Sequence, residues 1–320
     1  MKTESKALLA LAVVCILWGT TYLVIKIGIV TIPPFLFSGV RQLLAGALLW
    51  AVLPFLKQKI KLTRRDIFKQ VLPGLLMIFL GNGIITWAEK YIPSGLAALI
   101  VSAMPIYVTA INFGIGKETS VGKQTLIGLS LGALGIVLMF RDNLADLANS
   151  GYFWGIIASF AASFSWAIGT VYMKVNTFRT NSFVNSAIQF TSGGIALLIT
   201  SFVTEDYSGL NAISAEGVWS LLYLVMFGSI IPFMCYLYAI ERLKVELVSV
   251  YAYINPFIAL ILGMIVLNER LTGITGLAFI ATVGGVYFIN KGNNRKRASV
   301  ESKSEGSEVV VVAVKNKDDN

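Results

Sequence analysis

The residue best suited to bind a charged solute is Arg41, which stands in a long apolar run about eight residues past Pro33. A helix that begins at the prolines rises about 1.5 Å per residue, which places Arg41 about 12 Å along it. That depth is near the middle of a bilayer core about 30 Å thick, where a charge must be paired or face a water-filled cavity. Arg41 therefore has two possible roles. Its guanidinium binds a substrate carboxylate, or it pairs with other groups of a helix bundle and has a structural role.

Three further charged residues lie near the ends of apolar runs, and we predict a gating or coupling role for Lys26, Glu89 and Lys174. Lys26 is near the outer end of the first run and Lys174 at the inner end of the sixth, so each could meet an acidic partner at its own face. Snorkelling of the lysine head to the interface is the alternative. Glu89 is the carboxylate expected to carry a proton if the activity is proton-coupled.

Aromatic and amide side chains recur within the apolar runs. The substrate-binding candidates among them are Trp18, Asn82, Trp87, Tyr107, Trp166, Gln189, Tyr236 and Tyr253. Aromatic rings that carry a polar atom bind flat organic solutes. Asn82 shares a helical face with Thr86 and Glu89, since the three stand at i, i+4 and i+7. A wet central cavity explains these positions, with interfacial aromatic belts and interhelical hydrogen bonds as the alternatives.

The composition excludes an ordinary soluble protein and a disordered one. Of 320 residues, 56% are hydrophobic and only 13% are charged, with a net charge of +9, whereas soluble domains are about a quarter charged. The chain has no His, which removes His triads and His metal sites. We expect no cofactor and no metal. We also expect no nucleic-acid partner, because the basic residues cluster beside apolar runs, as they do in membrane proteins.

Ten apolar runs of about 20 residues predict an all-α integral membrane protein with ten transmembrane helices. The runs cover approximately 7–29, 34–56, 69–89, 95–116, 121–140, 151–173, 182–204, 216–240, 246–267 and 272–290. With the N-terminus inside, every inner connection holds Lys or Arg, and the outer ones hold only Lys90, Arg141 and Arg270. This asymmetry predicts cytoplasmic termini, with residues 293–320 as a disordered cytoplasmic tail.

The two halves of the chain repeat one another at a spacing of about 148–151 residues. Corresponding residues include Trp18 and Trp166, Lys26 and Lys174, and Arg41 and Gln189. We predict two five-helix repeats, residues 1–145 and 146–292. Because five is odd, the second repeat enters the membrane from the opposite side. Inverted repeats of this kind build secondary transporters, whereas a duplication retained only for stability is the alternative.

Over about residues 7–290 the chain resembles the EamA-type branch of the drug/metabolite transporter superfamily. The resemblance is carried by Trp18-Gly19, Arg41 after Pro33-Pro34, Trp87-Ala88-Glu89-Lys90-Tyr91, Pro105 before Glu118, Gly128, Gly135, and Pro256 before Glu269. It implies a secondary transporter of small organic molecules in the bacterial inner membrane, very often an exporter of amino acids or related amphiphilic compounds. Alternating access around a central cavity follows from the inverted repeats.

The partners expected of such a protein are a small-molecule substrate and the lipid bilayer, with the chain acting as a monomer or homodimer. A membrane-embedded lipid-modifying enzyme is the alternative function. It would need a nucleophile–base pair or a metal cluster, and the sequence has neither His nor a dense group of carboxylates in any connection.

Overall fold

The computed structural model describes residues 3–56, 62–115, 122–142, 149–176, 178–208, 210, 213–243, 248, 251–268, 272–274, 276–285, 287–288 and 291–292. Within these residues every regular element is a helix. Six described helices are long and apolar enough to cross a bilayer: Ser5–Gly28, Pro34–Phe55, Arg64–Ala88, Ser150–Met173, Ser182–Thr204 and Ala215–Tyr236. The prediction of an all-α protein with transmembrane helices is therefore confirmed, and the number of ten spans stays a prediction.

The helices pack into one bundle. In chain order they are α1 Thr3–Gly28, α2 Pro34–Val52, α3 Arg64–Ala88, α4 Ser94–Ser102, α5 Met104–Gly114, α6 Lys123–Asp142, α7 Ser150–Val175, α8 Ser182–Thr204, α9 over 215–242, α10 Tyr251–Leu267 and α11 Gly276–Gly285. Polar side chains begin four of them by accepting hydrogen bonds from backbone N–H groups that would otherwise lack acceptors. These N-caps are Thr63, Asn149, Asn181 and Ser214.

Two long helices contain a stretch of π-helix. In α3 it is Gly74–Gly83, directly after Pro73. In α9 it is Leu224–Ile230, just before Pro232. Because proline has no N–H, Pro232 leaves the carbonyl of Gly228, four residues earlier, open to another donor. Stretches of π-helix are rare and occur frequently at functional sites, so the centres of α3 and α9 are candidate functional positions.

Helices α2 and α8 pack closely and run antiparallel. A Cβ on Gly46 would lie 2.8 Å from Thr191 Oγ1, and a Cβ on Gly194 would lie 2.9 Å from the Leu43 side chain. Residue numbers rise along α2 as they fall along α8, which fixes the antiparallel direction. The two contacts are counterparts, since Gly46 and Gly194, like Leu43 and Thr191, are 148 residues apart. Small residues permit this approach of two membrane helices.

Helices α6 and α11 also pack closely against each other, and glycines form their contact. A Cβ on Gly285 would lie 2.7 Å from the carbonyl oxygen of Gly128 and 2.7 Å from the nitrogen of Gly132. A Cβ on Gly135 would lie 2.8 Å from the carbonyl oxygen of Ala278. These contacts are also counterparts, now at a spacing of 150 residues, and the helices again run antiparallel. The glycines therefore serve packing within one chain.

The N-terminus of α2 is capped by an acidic side chain from the end of α8. Phe35 and Leu36 donate their backbone N–H groups to the two carboxylate oxygens of Glu205, at 2.7 and 2.9 Å. The Ser201 hydroxyl also donates to Glu205, at 2.6 Å. A carboxylate at this position interacts favourably with the positive end of the helix dipole. The cap holds the start of α2, and with it the position of Arg41 one and a half turns further along.

Candidate functional site

A cavity of about 110 Å³ lies among the helices and is lined by side chains from both halves of the sequence. Helices α1 to α5 and α7 to α10 all contribute to its wall. A single water needs roughly 10–15 Å³, so the cavity has room for several waters or for part of an organic solute. Its aromatic lining residues are Trp18, Tyr22, Trp166, Phe190, Phe233 and Tyr251.

Arg41 lines this cavity from α2, with only 3% of its surface exposed. Its Nε donates to the Ser229 hydroxyl on α9 at 2.9 Å. Its Nη1 is buried and donates to no group among the described residues. Because a buried charged donor without an acceptor is costly, the guanidinium is suited to receive an anionic group inside the cavity.

A chain of hydrogen bonds connects Arg41 to α3. Ser229 donates to Gln42 Oε1 at 3.4 Å, and Gln42 Nε2 donates to Asn82 Oδ1 at 3.0 Å. The Ser38 hydroxyl donates to the same Asn82 oxygen at 3.3 Å. Ser229 and Asn82 belong to the two π-helical stretches. A solute that contacts Arg41 is therefore linked to the centres of both α3 and α9.

The two repeat-related tryptophans each meet a glycine in the π-helical stretch of the other half. Trp18 Nε1 donates at 3.3 Å to the Gly228 carbonyl, which a proline leaves open. Trp166 packs on Gly81, where a Cβ would lie 2.8 Å from the ring atom Cε3. Trp18 and Trp166 are 148 residues apart, and Gly81 and Gly228 are 147 apart. The pairs are thus counterparts, and both rings line the cavity.

Tyr236, a predicted binding residue, supports the cavity wall instead of lining it. Its ring centre lies 5.4 Å from that of Trp18 and 5.9 Å from that of Tyr251. Trp18 and Tyr251 meet edge-on at 5.3 Å. Aromatic pairs at these separations and tilts are favourable, so Tyr236 helps to fix two rings that face the solute.

Three other predicted binding residues do not line the cavity. Trp87 packs on Tyr91 with ring centres 4.9 Å apart. Tyr107 packs against a phenylalanine of α7 at 6.3 Å. Gln189 donates to Gln70 Oε1 at 2.7 Å, between α8 and α3. Tyr107 and Gln189 therefore make contacts between helices, whereas Trp87 packs on a residue just past the end of its own helix.

Lys26 and Glu89, both predicted to act in gating or coupling, meet at the end of α3. The Lys26 ammonium donates to the backbone carbonyl of Glu89 and, at 2.8 Å, to that of Ile92. A cation is favoured at the C-terminal end of a helix, where carbonyls lack intrahelical donors. Glu89 is fully buried, and its carboxylate interacts electrostatically with Arg41 and Tyr22. Lys26 thus joins α1 to the end of α3.

Comparison with known proteins decides the family. The sequence pattern of the EamA-like transporter family matches residues 5–141 and, a second time, residues 153–291. The chain belongs to the EamA-like transporter family. It is therefore a membrane transporter, and the family indicates transport rather than enzyme catalysis.

Individual EamA-like relatives and a solved structure agree with this assignment. The uncharacterized inner membrane transporter YedA of Escherichia coli K12 is 35% identical over 285 residues, which cover 88% of this chain and 90% of YedA. A probable amino-acid metabolite efflux pump of the same organism is 26% identical over 317 residues, covering 93% and 99% of the two chains. A crystal structure with 19% identity covers 89% of this chain and 97% of its own, with a TM-score of 0.64, which shows a shared fold.

The cavity of this EamA-like transporter also contains residues that the sequence analysis did not single out, chiefly Gln42, Ser229 and Asn255. For two of them the sequence offers an indication in the neighbouring residue. Gln42 directly follows the intramembrane Arg41, and Asn255 directly precedes a proline. Ser229 gave no such signal, because its role depends on the π-helical stretch. The side chains of Tyr253 and Lys174, both predicted functional residues, lie outside the described part of the chain.

Proposed function

We propose that this protein is a secondary transporter that exports amino acids or related amphiphilic metabolites by alternating access around the central cavity. The observation that carries the proposal is the buried Arg41 guanidinium, which lines the cavity with an Nη1 that has no acceptor among the described residues. A substrate carboxylate satisfies such a donor through a charge-assisted hydrogen bond. The surrounding aromatic rings bind the apolar part of the same solute.

Alternating access in this proposal depends on two inverted five-helix repeats, residues 1–145 and 146–292, that together make ten membrane spans. The double match of the family pattern supports the repeat. The helix pairs α2–α8 and α6–α11 support its inversion, because each joins counterpart helices that run antiparallel. Rocking of one repeat against the other then exposes the cavity to each side in turn. The π-helical stretches of α3 and α9 are the segments best placed to adjust during that motion.

The proposed direction of transport is outward, and the chain has a defined orientation in the membrane. Both termini lie in the cytoplasm of a bacterial inner membrane, with residues 293–320 as a disordered cytoplasmic tail. The distribution of Lys and Arg among the connections supports this orientation, and relatives named an inner membrane transporter and an efflux pump support the location and the outward direction. One chain supplies the cavity, so a monomer suffices for transport, including within a homodimer.

We assign the gates to the two counterpart lysines. Lys26, with Glu89, controls access at the end of α3, and Lys174 does so at the opposite face. The contact between the Lys26 ammonium and the Glu89 carbonyl supports the first gate, because it links two helices that line the cavity. If export is coupled to protons, Glu89 carries the proton, since it is a buried carboxylate close to the site.

Metabolite export tests the proposed function. Small solutes are compared in the medium of cells expressing the native protein, Arg41→Ala or Arg242→Ala at matched membrane levels. Arg242 is the control because it is an exposed arginine in the last turn of α9. We expect one or more amphiphilic solutes to accumulate outside cells with the native and Arg242→Ala proteins only. Identical media for the native and Arg41→Ala proteins would contradict the proposal.

A further inference from the structure

We infer that the cavity recognises its solute by the carboxylate and does not require an ammonium group, so that its ligands are monocarboxylates with a flat aromatic body. This ligand class refines the proposed function for the same cavity and rests on it. Amino acids with aromatic side chains then bind as one case of a broader class that includes the corresponding acids without an amino group.

Around Arg41, the described hydrogen-bonded side chains of the cavity leave a donor without an acceptor. Arg41 Nη1 is buried and has no acceptor among the described residues. The amide oxygens of the same cluster already accept hydrogen bonds from other side chains, Gln42 Oε1 from Ser229 and Asn82 Oδ1 from both Gln42 and Ser38. A carboxylate brings only acceptors, whereas an ammonium brings three further donors. The solute group that completes this set of hydrogen bonds is therefore a carboxylate.

The charges around the cavity favour the same class. Arg41 is in the wall, Lys26 lies at the end of α3, and the buried Glu89 interacts with Arg41. Ionised together, these are two cations and one anion, which leaves an excess of positive charge. Among the described residues, no acidic side chain lines the cavity. An amine without a carboxylate would enter a site of its own sign, where the low dielectric strengthens the repulsion.

The remainder of the wall fits a flat ring. Besides the polar side chains around Arg41, the wall has six aromatic side chains together with aliphatic and small polar ones; the aromatic ones are Trp18, Tyr22, Trp166, Phe190, Phe233 and Tyr251. Aromatic rings pack on such side chains with centres 4.5–7 Å apart, in stacked or edge-on arrangements. Phenyl or indole bodies gain these contacts without any polar group of their own. The ring therefore contributes affinity, and the carboxylate fixes the orientation of the solute.

Three phenyl solutes that differ in their charged groups provide the test. Phenylalanine has both groups, 3-phenylpropionate only the carboxylate, and phenethylamine only the ammonium. Calorimetric titration of the purified full chain in lipid nanodiscs measures each Kd. We expect both carboxylates to bind and phenethylamine to bind at least about tenfold more weakly. Arg41→Gln should abolish this difference, and the Arg242→Gln control should preserve it.

Equal binding of the three solutes by the native protein would overturn the inference, as would a carboxylate preference that persists in Arg41→Gln. Failure of all three to bind would also overturn it. The comparison among solutes uses the native protein alone, so a variant that does not fold leaves the test intact. Export of amines without a carboxylate in the metabolite experiment would refute this ligand class and leave the proposed transport standing, whereas identical media would refute the transport itself.

Discussion

Arg41 and Ser229 join the two halves of the transporter inside the cavity, with Arg41 Nε on α2 donating to the Ser229 hydroxyl on α9 at 2.9 Å. The same hydroxyl donates to Gln42 Oε1 at 3.4 Å. Ser229 thereby orients both the guanidinium and the neighbouring amide. A carboxylate that binds Arg41 Nη1 arrives at a contact between the halves, which is the place where a solute can influence their relative movement.

Ser229→Ala should weaken substrate binding. The change removes the acceptor of Arg41 Nε and leaves a buried charged donor unpaired, at an expected cost of about 1–3 kcal/mol, or about 5- to 150-fold in apparent affinity. The measurement is concentration-dependent flux in membrane vesicles at matched protein levels. Ser220→Ala is the control, because Ser220 is buried on the same helix but does not line the cavity. Equal losses in the two variants would show that Ser229 has no specific role.

Trp166→Ala should lower apparent affinity for the substrate about tenfold without lowering the amount of protein in the membrane. The reason is that the ring lines the cavity, where aromatic contacts contribute strongly to binding. Flux and membrane abundance are measured together. Trp154→Ala is a matched control, since Trp154 is on the same helix and 57% exposed. A fall in abundance with unchanged affinity would instead identify Trp166 as a packing residue.

Lys26→Met should lower both thermal stability and the rate of transport. The variant loses the ammonium that holds the carbonyls of Glu89 and Ile92, and we expect a stability cost of about 1–2 kcal/mol. Thermal unfolding and vesicle flux are the two measurements. Lys26→Arg keeps the charge and should retain most of both properties, and the exposed Lys90→Met should change neither. Native stability and flux in Lys26→Met would remove the gating assignment.

Gly285→Ala should destabilise the bundle at the contact of α6 and α11. The new Cβ would lie 2.7 Å from the carbonyl oxygen of Gly128, and such overpacking costs about 1–3 kcal/mol. Gly276→Ala on the same helix is the control, because among the described residues no atom from another part of the fold lies within 4 Å of the position of its Cβ. Alanine there should be neutral or slightly stabilising. Thermal unfolding in one detergent distinguishes the variants, and equal melting temperatures would contradict the described packing.

The positions of the helices are largely predictable from the sequence, because a bilayer requires long apolar runs with satisfied backbones. The run predicted over 182–204 is α8, with the same bounds. The break between α4 and α5 at Ala103, two residues before Pro105, also agrees with the rule that proline interrupts a helix. The π-helical stretches were not predicted, because their hydrogen bonds depend on which partners the neighbouring helices offer. The carbonyl of Gly228, for example, accepts a hydrogen bond from Trp18 on α1.

The site was predictable in part. The positions of Arg41 and Asn82 predict functional roles because polar groups in apolar runs are costly, and both residues line the cavity. Gln189 is also a polar group in an apolar run, but it donates to Gln70 on α3, and the aromatic Trp87 packs on Tyr91 just past the end of its own helix. Periodicity assigns a residue to a face of its own helix, and only the packing of the bundle determines what that face meets. Ser229 lacked any sequence signal for the same reason.

Exchange of a labelled solute by purified protein tests the central claim that this cavity transports amphiphilic carboxylates. Liposomes containing the full chain are loaded with radiolabelled phenylalanine and diluted into buffer with unlabelled phenylalanine, and the label that remains inside is followed over time. We predict rapid loss of label with the native protein and Arg242→Ala, and loss at the rate of protein-free liposomes with Arg41→Ala. Equal rates for native and Arg41→Ala proteins, or a native rate no faster than that of protein-free liposomes, would contradict the account.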